Sequence, residues 1–346
     1  MRTIHADLIT AQQSGAADPF IYLYLNPTNY SSRLISLQHI EEPYRDTATI
    51  VLANSDRHFD NVNLLGKSFT IGYGYVTASG NRYCGDGAGS EAMPTLWVKS
   101  QSMVSMEGKA VCILYCEGCW MRLREYNYIT AGTPPYFNIG FTSTDTVYQL
   151  MGKALAEAGF TLNALGTQDD GIINALYPIF TINPFQYENP AAILYRLIMM
   201  TLTYLREVEG SAFEVIYPQE ADAVKETYYS YQAPYFREYV EKLDLLVPNS
   251  IVVYCNRDPN TGEWNTESYP IVVGTDSDAT SIAAYGGVIE YWIAPYLDNQ
   301  IDADNRAKAI LTRYKYETLA GRAVLPFHDC QVELYDRVQI QDTRGY

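Results

Sequence analysis

Apolar and polar residues alternate through the first third of this chain and then change period. From Thr47 to Leu52, small or polar residues alternate with branched apolar ones, the period-2 pattern of a half-buried strand. Asn54, Ser55 and Asp56 follow as turn residues, since short polar side chains bond their own backbone. Similar runs predict strands over 21–25, 33–40, 68–75, 95–104 and 109–116, with a hairpin at Gly108-Lys109. The Gly-rich stretch from Cys84 to Pro94 reads as a mobile, exposed loop. Many short strands separated by turns imply a barrel or a sandwich.

The period changes near Thr133-Pro134-Pro135, where a domain boundary is expected. A helix is predicted after an N-cap at Thr144 or Asp145, with Val147, Leu150, Met151, Ala154, Leu155 and Ala158 on one face and Gly159 as its stop. A second opens at Asn189 and Pro190, and its stripe runs from Ile193, Leu194, Leu197 and Ile198 to Leu205. A strand at Phe213–Tyr217 ends at Pro218. Beyond 239 the strand pattern returns at 250–255 and 269–273, around a turn at 258–262. A helix follows from an N-cap at Asp302 to about Ala320, with Ala307, Ile310, Leu311 and Tyr314 inward and Gly321 closing it. Val324, Val332, Leu334, Val338 and Ile340 read as terminal strand positions, the last four sharing one parity and so one core face.

Composition bounds the rest. At 346 residues, with 47% hydrophobic and 18% charged, the chain is globular and long enough for two or three domains. A net charge of −16 with no basic run excludes tight nucleic-acid binding, which needs Lys and Arg to displace counterions. Tyr outnumbers Phe 31 to 11. Such rings suit half-wet surfaces and subunit contacts; equally, Tyr simply favours strands. No secretory signal opens the chain, and the longest apolar segment, 191–205, is interrupted by Arg196 and too short to span a bilayer. Cytoplasmic synthesis with reduced thiols is expected.

No catalytic, cofactor or metal residues are predicted. His5, His39, His58 and His328 have no metal spacing. Cys116-Glu117-Gly118-Cys119 lacks the second pair that a zinc site needs, and Cys112 and Cys116 read as small buried apolar residues on one strand face. Gly85–Ser90 lacks the Lys of a phosphate loop. Asp169-Asp170-Gly171 reads as a solvated turn. Trp97 and Trp120, inside apolar strands, read as core, leaving Trp264 and Trp292 for any sugar-stacking surface.

Three stretches carry a resemblance. One is Ala48 to Asp60 followed by Leu65-Gly66-Lys67-Ser68-Phe69-Thr70-Ile71. The second is the helix Val147 to Phe160. The third is the terminal helix leading into Val324 to Ile340 with its Glu333-Leu334-Tyr335-Asp336-Arg337-Val338. Together these resemble the tail hub (baseplate hub) proteins of tailed bacteriophages. The resemblance implies a mainly-β α+β chain in which two tube-like β-barrel domains, 1–130 and 239–346, flank an α+β domain, 131–238. It implies a homotrimeric ring of six similar β domains at the virion tail tip. Its partners would be the tail tube or distal tail proteins, a tip or spike protein, and genomic DNA passing without specific binding through an acidic channel. The chain stops at Tyr346, so no fused spike or lysozyme domain is expected and a separate tip protein would close the channel. The rival readings are a glycan-degrading tail enzyme and a carbohydrate- or receptor-binding tail protein.

Overall fold

The computed structural model describes residues 1–14, 18–87, 89–126, 144–178, 188–258, 260–294 and 297–344. The boundary expected at Thr133-Pro134-Pro135 lies outside them. The fold is mainly-β α+β. Two sheets occupy the N-terminal third. One holds, in spatial order, Thr28–Asn29, Asp18–Leu25, Ile71–Thr77 and Gly80–Tyr83. The other holds Leu34–Glu42, Arg45–Ala53, Lys109–Glu117, Leu96–Met106 and Ser68–Phe69.

The period-2 reading explains their shared core. Ala48, Ile50 and Leu52 lie opposite Cys116, Leu114 and Cys112 on the antiparallel neighbour, and all six are buried. They meet Leu23, Ile71 and Tyr75 from the other sheet. Cys112 and Cys116 therefore occupy the one strand face expected of them. Cys330, from near the other end of the chain, joins this core.

The rest of the described chain builds a second core. The helices Cys119–Glu125, Val147–Glu157 and Pro190–Ile198 pack beside a sheet ordered Thr161–Leu162, Ala212–Ile216, Tyr204–Val208. A further sheet, ordered Val272–Ser277, Ser250–Cys255, Ile289–Ala294, carries the helix Gln300–Thr318 on one face. Leu150, Leu194, Phe213, Ile251, Val253, Ala307 and Ile310 belong to one continuous buried cluster. Gly274 lets that helix sit close, since a Cβ there would stand 2.0 Å from the Ala303 carbonyl oxygen.

Several local expectations are corrected. The cap of Val147–Glu157 is Thr146, not Thr144 or Asp145; its hydroxyl and the Gln149 side chain form a reciprocal capping box. Leu205 belongs to a strand, because the preceding helix ends at Ile198. The long helix starts at Gln300 with Asn299 as cap, accepting from the Asp302 amide. Gly321 does not end it but lies in the strand Leu319–Val324, paired with Glu238–Leu243. The strand placed at 269–273 begins at Val272. The terminal run is bent: Val332 and Leu334 are half-buried in a turn, and only Val338–Gln341 is a strand, parallel to Glu226–Tyr229. Val338 is 40% exposed, so the single inward face is not formed. Trp120 is buried in a helix rather than a strand. The Cys84–Pro94 loop is not simply exposed: Cys84, Ser90 and Met93 are buried, and Ser90 Oγ accepts from the His5 amide at 2.9 Å.

Candidate functional site

Two cavities meet at Tyr44, the second residue of the two-residue Pro43-Tyr44 turn between Leu34–Glu42 and Arg45–Ala53. One is aromatic. Its volume is about 420 Å³, within the range of small-ligand pockets. Tyr44 enters from the N-terminal sheets, with its ring edge-on to Tyr195 at 5.6 Å and to Trp120 at 5.1 Å. The middle segment contributes Tyr195 and Tyr204, and the last segment contributes Trp292, Tyr314 and Tyr316. Tyr335 closes the wall from the terminal turn, its ring 4.7 Å from that of Tyr204.

Arg313, buried, holds this wall together. Its Nη2 donates to the carbonyls of Ile198 at 2.8 Å, Thr201 at 3.1 Å and Thr203 at 2.5 Å, and the guanidinium lies 4.4 Å from the centre of the Tyr204 ring. These carbonyls end the helix Pro190–Ile198 and lead to the next strand, so one cation satisfies a buried chain reversal. Tyr314 donates to Glu290 at 3.1 Å and Tyr316 to the Pro218 carbonyl at 3.1 Å. Burial pushes the Tyr44 phenol up to about 12, so it stays protonated at neutral pH.

The second cavity is charged and holds only about 20 Å³, room for about one water molecule. Arg206 lies buried among three carboxylates: Nε donates to Glu214 at 2.8 Å, and Nη atoms lie 3.1 Å from Asp336 and 3.4 Å from Glu333. Arg2 pairs with Glu333 at 3.2 Å. On the other side, Glu207 accepts from the amides of Cys119 and Trp120, each at 3.0 Å. It thereby caps a short helix whose own N-cap, Gly118, has no side chain. A Cβ on Gly118 would stand 2.7 Å from Asp46 Cβ and 2.8 Å from Glu207 Oε2, so glycine is what lets the two acids approach. Burial, then the Asp46 charge, raises Glu207 to about 8.

The histidines have no metal spacing along the chain, yet the fold brings two of them to one place. Two of them converge: His39 bonds Asp46 at 2.7 Å and Tyr73 at 3.0 Å, and the His328 ring stacks 3.9 Å from that of Tyr73. Hydrogen bonding to Asp46 and the nearby carboxylates outweigh burial and raise His39, whereas burial lowers His328 to about 3. His5 caps the helix Ala6–Gln12, and His58 packs on Phe59. Asp170 is no solvated turn residue: its carboxylate accepts from Ile172, Ile173 and the distant Leu202 amides. Cys116 and Cys119 are both buried, and among the described residues no group of three His, Cys, Asp or Glu is placed to hold a metal. No helix among them is long and apolar enough to cross a membrane. Sequence reasoning missed the aromatic cavity; its signal was the tyrosine excess, whose positions scatter over the chain.

A third feature is a bare sheet face. In Ile289–Ala294, Ile289, Tyr291 and Ile293 point away from the helix Gln300–Thr318 and are 50%, 61% and 63% exposed. Tyr254 on the neighbouring strand stacks 6.1 Å from Tyr291.

The sequence matches no protein-family model and no curated protein. The structure does have counterparts. One is the tail protein from Neisseria meningitidis MC58, at 12% identity and a TM-score of 0.65, over 94% of this chain and 87% of that one. Another is the 43 kDa tail protein of prophage MuSo2 from Shewanella oneidensis, at 11% identity and 0.60, over 94% and 89%. Over nearly its whole length, then, this chain shares the fold of these two tail proteins.

Proposed function

We propose that the chain is a structural protein of a phage tail, and within the tail its hub: three copies in a ring that joins the tube to the tip around the path of the DNA. The observation that carries this reading is the fold shared with two tail proteins across 94% of the chain. The bare face of Ile289, Tyr291 and Ile293 supports it. It lies on an edge strand, where exposed apolar rows and unpaired backbone groups favour a neighbouring subunit. The net charge of −16 suits a passage that phosphate must slide through without sticking. The ring should sediment as a trimer. Replacing Tyr291 and Ile293 with Glu together should reduce it to monomers with an unchanged circular dichroism spectrum, because the charges would be desolvated in the contact. A monodisperse monomer of the unaltered protein at high concentration would sink the reading.

The same reading includes no glycan turnover. The acids brought together, Asp46 and Glu207, flank a cavity of about 20 Å³, far too small for a sugar ring. Hydrolysis of peptidoglycan that is lost on Glu207→Gln would restore the enzyme alternative.

A further inference from the structure

Two thiols meet where the terminal turn rests on the N-terminal sheets. Cys84 follows the strand Gly80–Tyr83, and its backbone amide donates to the Tyr73 carbonyl at 2.8 Å. Cys330 lies in the terminal turn. Its amide donates to the Gln12 side chain at 3.1 Å, and its carbonyl accepts from Arg2 Nη1 at 3.2 Å. Both backbones are thus held in place. The Cys84 sulfur lies 3.7 Å from that same Cys330 carbonyl oxygen, across 246 positions of sequence. The two side chains are also bonded to each other, the Cys330 thiol donating to the Cys84 sulfur. This bond, with the Arg2 guanidinium beside it, holds Cys84 below the usual thiol range against the pull of burial. Cys330, raised by the same bond, keeps its proton. The other four cysteines are driven upward by burial: Cys112 to about 11, Cys116 and Cys255 to about 12, and Cys119 in the same direction.

We propose that Cys84 and Cys330 are a redox-active pair, a site that a peroxide converts into a disulfide joining the terminal turn to the N-terminal sheets. The step balances with no further reactant. The Cys84 thiolate attacks one peroxide oxygen, the O–O bond breaks, and the leaving hydroxide takes up the proton that the thiol has lost. Cys84 is then a sulfenic acid and one water has formed. The Cys330 sulfur attacks the Cys84 sulfur, its proton goes to the departing hydroxyl, and a second water leaves. The two thiols have given up two electrons and two protons, and the peroxide has taken them. Access suits a reagent scarcely larger than water. Cys84 is 2% exposed, and Gly85 and Gly87 just beyond it are exposed, so its sulfur lies at the inner edge of the surface. Cys330 is fully buried, so it meets the oxidised Cys84 rather than the oxidant. A cross-link spanning 246 positions stabilises chiefly by restricting the unfolded chain. It would add a covalent bond to the joint that Arg2 and Arg206 make by charge with Glu333. The inference needs no ring and stands apart from the hub reading.

Hydrogen peroxide added to the reduced full chain tests it, followed by unfolding, alkylation of the remaining thiols and peptide mapping. The expected product has lost two hydrogens, carries Cys84 joined to Cys330, and has Cys112, Cys116, Cys119 and Cys255 alkylated. It should unfold at a higher temperature than the reduced chain, and dithiothreitol should abolish the gain. Cys84→Ser and Cys330→Ser should each lose the cross-link and gain no stability from peroxide. In Cys330→Ser, Cys84 should pass on to the sulfinic acid, having no thiol to stop it. The map of the unaltered chain decides the matter even where a variant fails to fold. Peroxide that leaves Cys84 unreacted, or takes it to the sulfinic acid beside an alkylated Cys330, would overturn the proposal. So would a cross-link between any other two cysteines.

Discussion

Tyr44 stands between two cavities of opposite construction. On one side, charges are packed so closely that about 20 Å³ remains, and Arg206 and Arg2 meet carboxylates drawn from residues more than a hundred positions away. On the other, rings leave about 420 Å³ open, and behind the wall the buried Trp292 Nε1, Arg313 Nε and Tyr335 hydroxyl have no partner among the described residues. The charged cavity fastens the terminal turn to the sheets. The aromatic one spends packing and strain on an opening. Closeness of packing thus separates a joint from an open cavity, and the segment from Trp292 to Glu317 lines only the open one.

The largest expected effect tests the joint. Arg206→Ala would leave Glu214, Glu333 and Asp336 without their shared cation in a buried place. Removing one partner of a buried ion cluster costs about 3–5 kcal/mol. Urea denaturation should show the midpoint falling accordingly, and Arg206→Met should not rescue it. A loss below about 1 kcal/mol, the worth of an exposed pair, would mean that the joint is looser than its burial suggests.

A smaller effect tests the acid pair. Glu207 is raised to about 8, whereas an unfolded glutamate titrates near its ordinary value of 4.5. Between those values the folded chain holds a proton that the unfolded chain has released, so stability falls as pH rises from about 4.5 to 8 and levels off above. His39, also raised, adds a loss in the same direction as pH climbs past its ordinary 6.5. His328, lowered to about 3, acts oppositely: it stays neutral when folded, so stability falls as pH drops below 6.5. Thermal unfolding across pH should therefore peak in mildly acid solution. Glu207→Gln should make the alkaline limb shallower, with the His39 part remaining, and leave the acid limb in place. An unchanged alkaline limb would remove Glu207 from the account.

These differences also explain what the sequence could and could not disclose. The strand Arg45–Ala53 was legible because one buried face imposes period 2 over Ala48, Ile50 and Leu52. The helix at Pro190 was legible because Asn189 and Pro190 are local signals. The helix Cys119–Glu125 was not, since its cap is Glu207, a residue from a strand 88 positions away at Cys119. The terminal turn misled for a related reason. Apolar residues at equal parity imitate a strand, yet Tyr335 turns the chain with a positive φ and the ion pairs of Glu333 and Asp336 hold it there. The aromatic cavity was invisible because its rings come from four distant stretches. Composition registered their number but not their meeting.

The finest comparison sets two buried tyrosine hydroxyls against each other. Tyr75 donates to the His328 carbonyl at 2.6 Å, across the seam between the N-terminal sheets and the end of the chain. Tyr335 donates to nothing among the described residues. Tyr75→Phe removes a hydrogen bond and strands a buried carbonyl, so it should cost about 1–1.5 kcal/mol. Tyr335→Phe removes a donor already unpaired, keeps the ring against Tyr204, and should change stability by less than about 0.5 kcal/mol or raise it slightly. Paired denaturation curves check both at once. If Tyr335→Phe costs as much as Tyr75→Phe, its hydroxyl has a partner in solution, and the wall of the aromatic cavity is hydrogen-bonded at that point like the seam at Tyr75.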